Sequence, residues 1–193
     1  MQEKLLKKNY TKMVNKKTTI PWQSEEAWIQ VVLSIDKTIA ALSTQGAEIT
    51  RIRTLAQQIA QGYAELETIL EEVCLKSCPT CVDVCCSRAT VWYDLKDLLL
   101  IYLNTGTLPD RQIYKQPDHS CCNLTPSGCR LLRSERPFIC TWYICPDQKN
   151  VIEGLPDSEE KLALFRTIEK STIDKIKTAR KELEEEYVEA ICS

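Results

Sequence analysis

The chain has 193 residues, 44% of them hydrophobic and 27% charged, so it is long enough to bury one sizeable core. A net charge of -2 gives no electrostatic reason to expect a nucleic-acid partner, and no run of about 18 apolar residues predicts a membrane span. Eleven cysteines against a single histidine set this composition apart.

Residues 1 to 20, rich in lysine, read as a loose basic arm with no assigned function, and residues 21–193 as a single domain. The arm lacks the apolar stretch of a secretory signal. The expected compartment is therefore the cytoplasm, where thiols stay reduced and clustered cysteines serve as metal ligands or redox groups rather than structural disulfides. An odd number of cysteines cannot pair completely within one chain in any case.

Ser24 is placed to cap a first helix, with Glu25 and Glu26 at its positive end. Trp28, Val31, Val32, Ile35, Ile39 and Leu42 carry its apolar spacing to about Thr44, and Gly46 interrupts the chain. Ile49, Ile52, Ala56, Ile59, Tyr63, Leu66, Leu70 and Val73 then alternate steps of three and four. That is the seam of a helix packed nearly parallel or antiparallel to a neighbour. The flanking helices make an intramolecular bundle the expected use of this seam, while the heptads of residues 46–76 also offer a surface for a protein partner. Pro79 ends the helix. Asp94 is set to cap another, cored by Leu95, Leu98, Leu99, Ile101 and Tyr102 and closed by Gly106. Residues 107–146 hold five of the eight prolines and read as loops and turns. Asp157 and Glu160 suggest the cap of a last helix, with Phe165, Ile168, Thr172, Ile176, Ala179, Leu183, Tyr187 and Ala190 on its inward stripe. No strand-like alternation stands out. The expected fold is mainly α, a bundle of three to five helices with a loop-rich, metal-stapled cysteine module at residues 74–146.

Cys78, Cys81, Cys85 and Cys86 form one group of thiols; Cys122, Cys129, Cys140 and Cys145 form a second. Thiolates are soft anionic ligands that bind zinc or iron at about 2.3 Å. The short first spacings let a single turn present two of them. Adjacent residues point apart, so Cys85 and Cys86 are expected to serve different sites, or one of them to pack. Four thiolates on a divalent ion leave a net charge near -2, which Arg88, Arg130, Arg133 and Arg136 are near enough in sequence to offset. His119 is either a ligand or a loop residue. Cys74 and Cys121 are reserve ligands, and Cys192 is expected to be a free thiol. Cys74-x3-Cys78-x2-Cys81 also matches the cluster spacing of radical S-adenosylmethionine enzymes, but neither the strands nor the length of their barrel is present.

The segment CPTCVDVCC (78–86), followed by CNLTPSGC (122–129), Arg136-Pro137 and CTWYIC (140–145), resembles the YkgJ-type cysteine-cluster family. That family's pattern is CxxC-x3-CC, C-xx-L, a later C near basic or aromatic residues, RP-xx-C and a final C. It is described as zinc- or iron-chelating, with flagellin lysine N-methylases among its relatives. Position by position, the resemblance implies Cys78, Cys81, Cys85, Cys86, Cys122, Cys129, Cys140 and Cys145 as metal ligands. Arg136, matching the family's RP, is the implied cofactor-binding residue. Where the family commonly has glycine before its paired cysteines, this chain has Val82-Asp83-Val84, and the long flanking helices lie outside the pattern.

The expected function is that of a metal-binding cysteine-cluster protein holding an iron–sulfur cluster of the four-iron kind in a redox or protein-maturation role. A zinc-binding structural or adaptor protein is the first alternative. The second is a protein-modifying transferase related to the flagellin methylases, although no nucleotide loop or catalytic constellation is visible. Oligomeric state is left open.

Overall fold

The computed structural model describes residues 20–44, 46–81, 85–154 and 158–192. The described chain is 69% helical and holds seven α-helices with a single two-stranded sheet. These are α1 (Glu25–Leu42), α2 (Ala47–Ser77), α3 (Cys85–Arg88), α4 (Leu95–Thr105), α5 (Phe138–Trp142), α6 (Pro146–Glu153) and α7 (Ser158–Cys192). The mainly α expectation holds. The count exceeds five because α3, α5 and α6, all of eight residues or fewer, lie in or beside the stretch expected to be loops. The basic arm and Asp157 fall outside the described residues.

Local chemistry sets the helix ends. Ser24 Oγ accepts the backbone N–H of Ala27, removing one orphan donor at the start of α1. Asp94 and Asp97 form a reciprocal capping box on α4, and Gly106 closes it in the left-handed conformation that a side chain disfavours. Gly46, at φ 71°, turns the chain between α1 and α2.

The 31-residue α2 is the axis of the molecule. Its main partner is α7, and α4, α6 and α5 pack along the rest of it. Every residue of its heptad seam is at most 4% exposed: the seam is filled from within the chain. From α7, Thr172, Ile176, Leu183 and Tyr187 are buried as the stripe predicts; the Phe165 and Ile168 side chains lie outside the described residues. Gly62 lets the two long helices approach closely, since Ile176 occupies the space its Cβ would take.

A buried polar node ties three helices together. Arg180 of α7, 3% exposed, donates from Nη2 to Asp97 Oδ1 at 2.8 Å and to Asp94 Oδ1 at 3.0 Å, and from Nη1 to Tyr63 Oη of α2 at 3.1 Å. Its guanidinium lies 4.6 Å from the Phe138 ring centroid, within cation–π range. Asp97 Oδ1 also accepts the Phe138 N–H at 3.0 Å, fastening the start of α5, and with it the cysteine module, to the bundle. Burial and the neighbouring Asp94 charge push Asp97 up to about 7, while Arg180 holds Asp94 below the ordinary carboxylate range.

One expectation is corrected. Leu124–Thr125 and Gly128–Cys129 form an antiparallel pair, with Leu124 opposite Cys129 and Thr125 opposite Gly128. Two-residue strands are too short for alternation to register. Gly128, at φ 108°, permits the turn.

Candidate metal centre

The cysteine module is hung on the end of α2. Cys74 lies in its last turn and Cys78 caps it, and Cys78–Thr80, with Pro79 near its start, form a single 3-10 turn. The hairpin leans on this end, because a Cβ on Gly128 would lie 3.7 Å from Cys78 Cβ. A second attachment runs through Cys121, whose N–H donates to the Cys86 carbonyl at 3.1 Å. Lys115 Nζ donates to the Cys86 and Ser87 carbonyls at 2.8 and 3.0 Å, capping the carbonyl end of α3 with positive charge.

Thiols from four separated segments lie near enough here to influence one another's charge. The Cys78 thiol donates to Cys74, which lowers Cys74 to about 6 with further help from Arg133 and Arg136; Cys78 is raised by the same bond and by burial. In the same way Cys86 donates to Cys85 and lowers it to about 7. Cys86 is raised by that bond, by burial, and by the charges of Cys85, Cys121 and Cys140. Burial pushes Cys140 up to about 12, with Cys129, Cys121 and Cys85 adding like charge and Arg136 opposing. Cys121 is raised by burial and by Cys122 and Cys129. Side chains that feel each other's charge in this way share one neighbourhood. Cys74, Cys78, Cys85, Cys86, Cys121, Cys122, Cys129 and Cys140 all belong to it.

The other two candidate ligands have different partners. Cys81 Sγ lies 3.2 Å from Asp147 Oδ2. Cys145 opens α6, its N–H donating to Gln148 Oε1 at 2.9 Å. Gln148 returns to the thiol group, for its Nε2 lies 3.1 Å from Cys74 Sγ and 4.0 Å from Cys78 Sγ.

Arg133 supplies the decisive electrostatic observation. It is 4% exposed, donates from Nη1 to the Thr141 carbonyl at 2.8 Å, and faces Cys74 Sγ from Nη2 at 3.7 Å. Its Nε is buried without a hydrogen-bond partner. None of the ion pairs among the described residues includes it. Arg136 anchors by Nε to the Leu131 carbonyl at 3.0 Å. Arg130 bonds Asn123 Oδ1 at 2.8 Å, and Arg88 is exposed. His119 is exposed, with φ 66° in a turn.

Ten cysteines of the described chain are free thiols. Among the described residues no group of three or more His, Cys, Asp or Glu side chains is already arranged as a metal cage. The donor set nonetheless fits a thiophilic metal in kind: it is sulfur-rich, half-buried and faced by cations. Ligand thiols must lose their protons to bind a metal, so metal binding here would displace such shared hydrogen bonds.

Sequence reasoning set Cys121 behind Cys122, yet it is Cys121 that is buried and that the Cys86 and Cys140 thiols feel. Cys74 and Gln148 were likewise undervalued, both being brought in by helix ends distant in sequence.

Comparison with protein families, curated proteins and solved structures finds no match to this chain. No helix of the described residues is long and apolar enough to cross a membrane.

Proposed function

We propose that this protein binds a metal centre through its cysteine module, an iron–sulfur cluster of the four-iron kind held for a redox or protein-maturation role. The observation that carries the proposal is buried Arg133. A guanidinium taken out of water without an anion costs several kcal/mol, and the group facing this one is the Cys74 sulfur. A cluster held by thiolates is anionic, and Arg133 with Arg136 supplies the matching charge. Arg136 thus takes its cofactor-facing role through charge: it acts on both Cys74 and Cys140.

The ligands are drawn from Cys78, Cys85, Cys86, Cys129 and Cys140, with Cys121 taking precedence over Cys122. Cys81, beside Asp147, and Cys145, at the start of α6, complete the proposed set. When bound, such a cluster supplies one-electron chemistry. The chain's own residues would limit water by burying Cys121 and half-burying Cys140, and orient Cys74 through Gln148.

Cys140→Ser and Cys81→Ser test the ligand set on anaerobically purified protein. Each is expected to lose most of the bound metal while far-ultraviolet circular dichroism retains the bundle. Full metal content in both variants overturns the ligand assignment. Zinc, which the same sulfur donors suit, is the alternative the metal analysis separates: a colourless protein with stoichiometric zinc excludes the cluster.

A further inference from the structure

On the side of the bundle where α4, α5 and α7 begin to diverge, a cleft of about 500 Å³ opens to solvent, within the usual volume range of small-molecule sites. It is lined by Ala89–Trp92, by Pro137–Ile139 and by Lys177, Arg180, Lys181 and Glu184 of α7. None of the cysteines lines it, so it is independent of the metal proposal.

Its chemistry is specific. Trp92 is 40% exposed and Ile139 is 42% exposed, so the lining offers an aromatic and an aliphatic side chain to solvent. The deeper charges are already committed: Arg180 to Asp94 and Asp97, and Lys96 to Glu184 at 2.8 Å. Lys177 and Lys181, four residues apart and so on one face of α7, have local pairs at 3.4 Å, with Asp174 and Glu185 respectively, and Lys177 Nζ also lies 5.7 Å from the Trp142 ring centroid. Those pairs are exposed, Lys181 being 75% and Glu185 54% accessible, and exposed pairs hold a lysine weakly. Both ammonium groups can therefore turn to a ligand.

We propose that the cleft binds a small organic acid with a flat apolar body, its carboxylate at Lys177 and Lys181 and its body between Trp92, Phe138 and Ile139. An apolar slot with a few convergent charges is the general form of such sites. Committed carboxylates deeper in the cleft make an ammonium ligand no better served than an anion, and the two available lysines make it worse served.

Calorimetry on the full chain with 2-naphthoate, 2-naphthylmethylamine and acetate tests this. The expected result is saturable one-to-one binding of 2-naphthoate, with weaker binding of the amine and none of acetate at the same concentration. Trp92→Ala should weaken 2-naphthoate by about tenfold or more. Lys177→Gln with Lys181→Gln should weaken it by about three- to tenfold and remove the preference over the amine. Nuclear magnetic resonance of the unmodified protein provides a readout independent of the variants' folding. The Trp92 indole and Ile139 methyl signals should shift first. Absence of binding at millimolar 2-naphthoate, equal or tighter binding of the amine, or shifts centred elsewhere would each overturn the proposal.

Discussion

Replacing Gly62 with alanine sets two known effects against each other at the contact that defines the bundle. Within a helix, alanine is favoured over glycine by about 0.8–1.0 kcal/mol. Here, however, the added methyl would lie 2.6 Å from Ile176 Cγ1, 2.8 Å from Ile176 Cδ1 and 3.6 Å from Thr172 Cγ2. Carbon atoms attract best at about 3.5–4.0 Å, so the nearest contact is roughly 1 Å too close. Ile176 is 2% exposed, and Cγ1 sits next to its branch point, so rotating the side chain moves it into other packed atoms. Overfilling such a site costs about 1–3 kcal/mol. Steric cost exceeds propensity, and Gly62→Ala should destabilise by about 0.5–2 kcal/mol. Urea unfolding followed by circular dichroism measures this. Ile176→Ala removes both offending atoms, and on that background Gly62→Ala should be neutral or stabilising by up to about 1 kcal/mol. A gain in stability on the wild-type background, or the same change on both, would refute the close packing of α2 on α7.

Arg180→Met leaves Asp97 buried without its cation and should cost about 3–5 kcal/mol in urea unfolding; a loss below about 1 kcal/mol would mean the node does not form. Asp97, raised from 3.8 to about 7, binds more protons folded than unfolded between those values, so its contribution to stability falls as pH rises through that window. Between about pH 4 and 5, below the value of about 6 to which Cys74 is lowered, Asp97→Asn should remove this component from the slope of the urea midpoint against pH. An unchanged slope would show that Asp97 does not titrate as described. Arg133→Met should reduce retained metal under competition with a chelator by about tenfold or more, as loss of an outer partner does; unchanged retention would deny Arg133 its role as counter-ion.

Signals local in sequence survived folding best. Ser24, Asp94 and Gly106 act at the helix ends assigned to them, because a cap needs only the residues within one turn. The heptad seam of α2 was legible because periodic burial repeats over about three and a half heptads. Its use within the chain followed from having helices to pack on. Arg180 was not legible: it lies beside Ala179 on the inward stripe of α7, where a charged residue is ordinarily expected outside. Partners distant in sequence, Asp94 and Asp97 with Tyr63 and the Phe138 ring, explain its burial. The hairpin and α6 were missed because two strand residues, or eight helical ones after a proline, give almost no periodicity. In the module, the thiols that influence one another's charge come from both of the groups read from spacing, but spacing could not choose between Cys121 and Cys122, since that choice depends on which backbone group bonds Cys86.

The central claim is that the gathered thiols hold a metal cluster, and metal content with acid-labile sulfide on anaerobically purified protein tests it most directly. The account predicts a brown protein with about four iron and four sulfide per chain, absorbing near about 400 nm and bleaching on reduction. Protein that is folded, fully reduced at its cysteines and free of both iron and sulfide would contradict it.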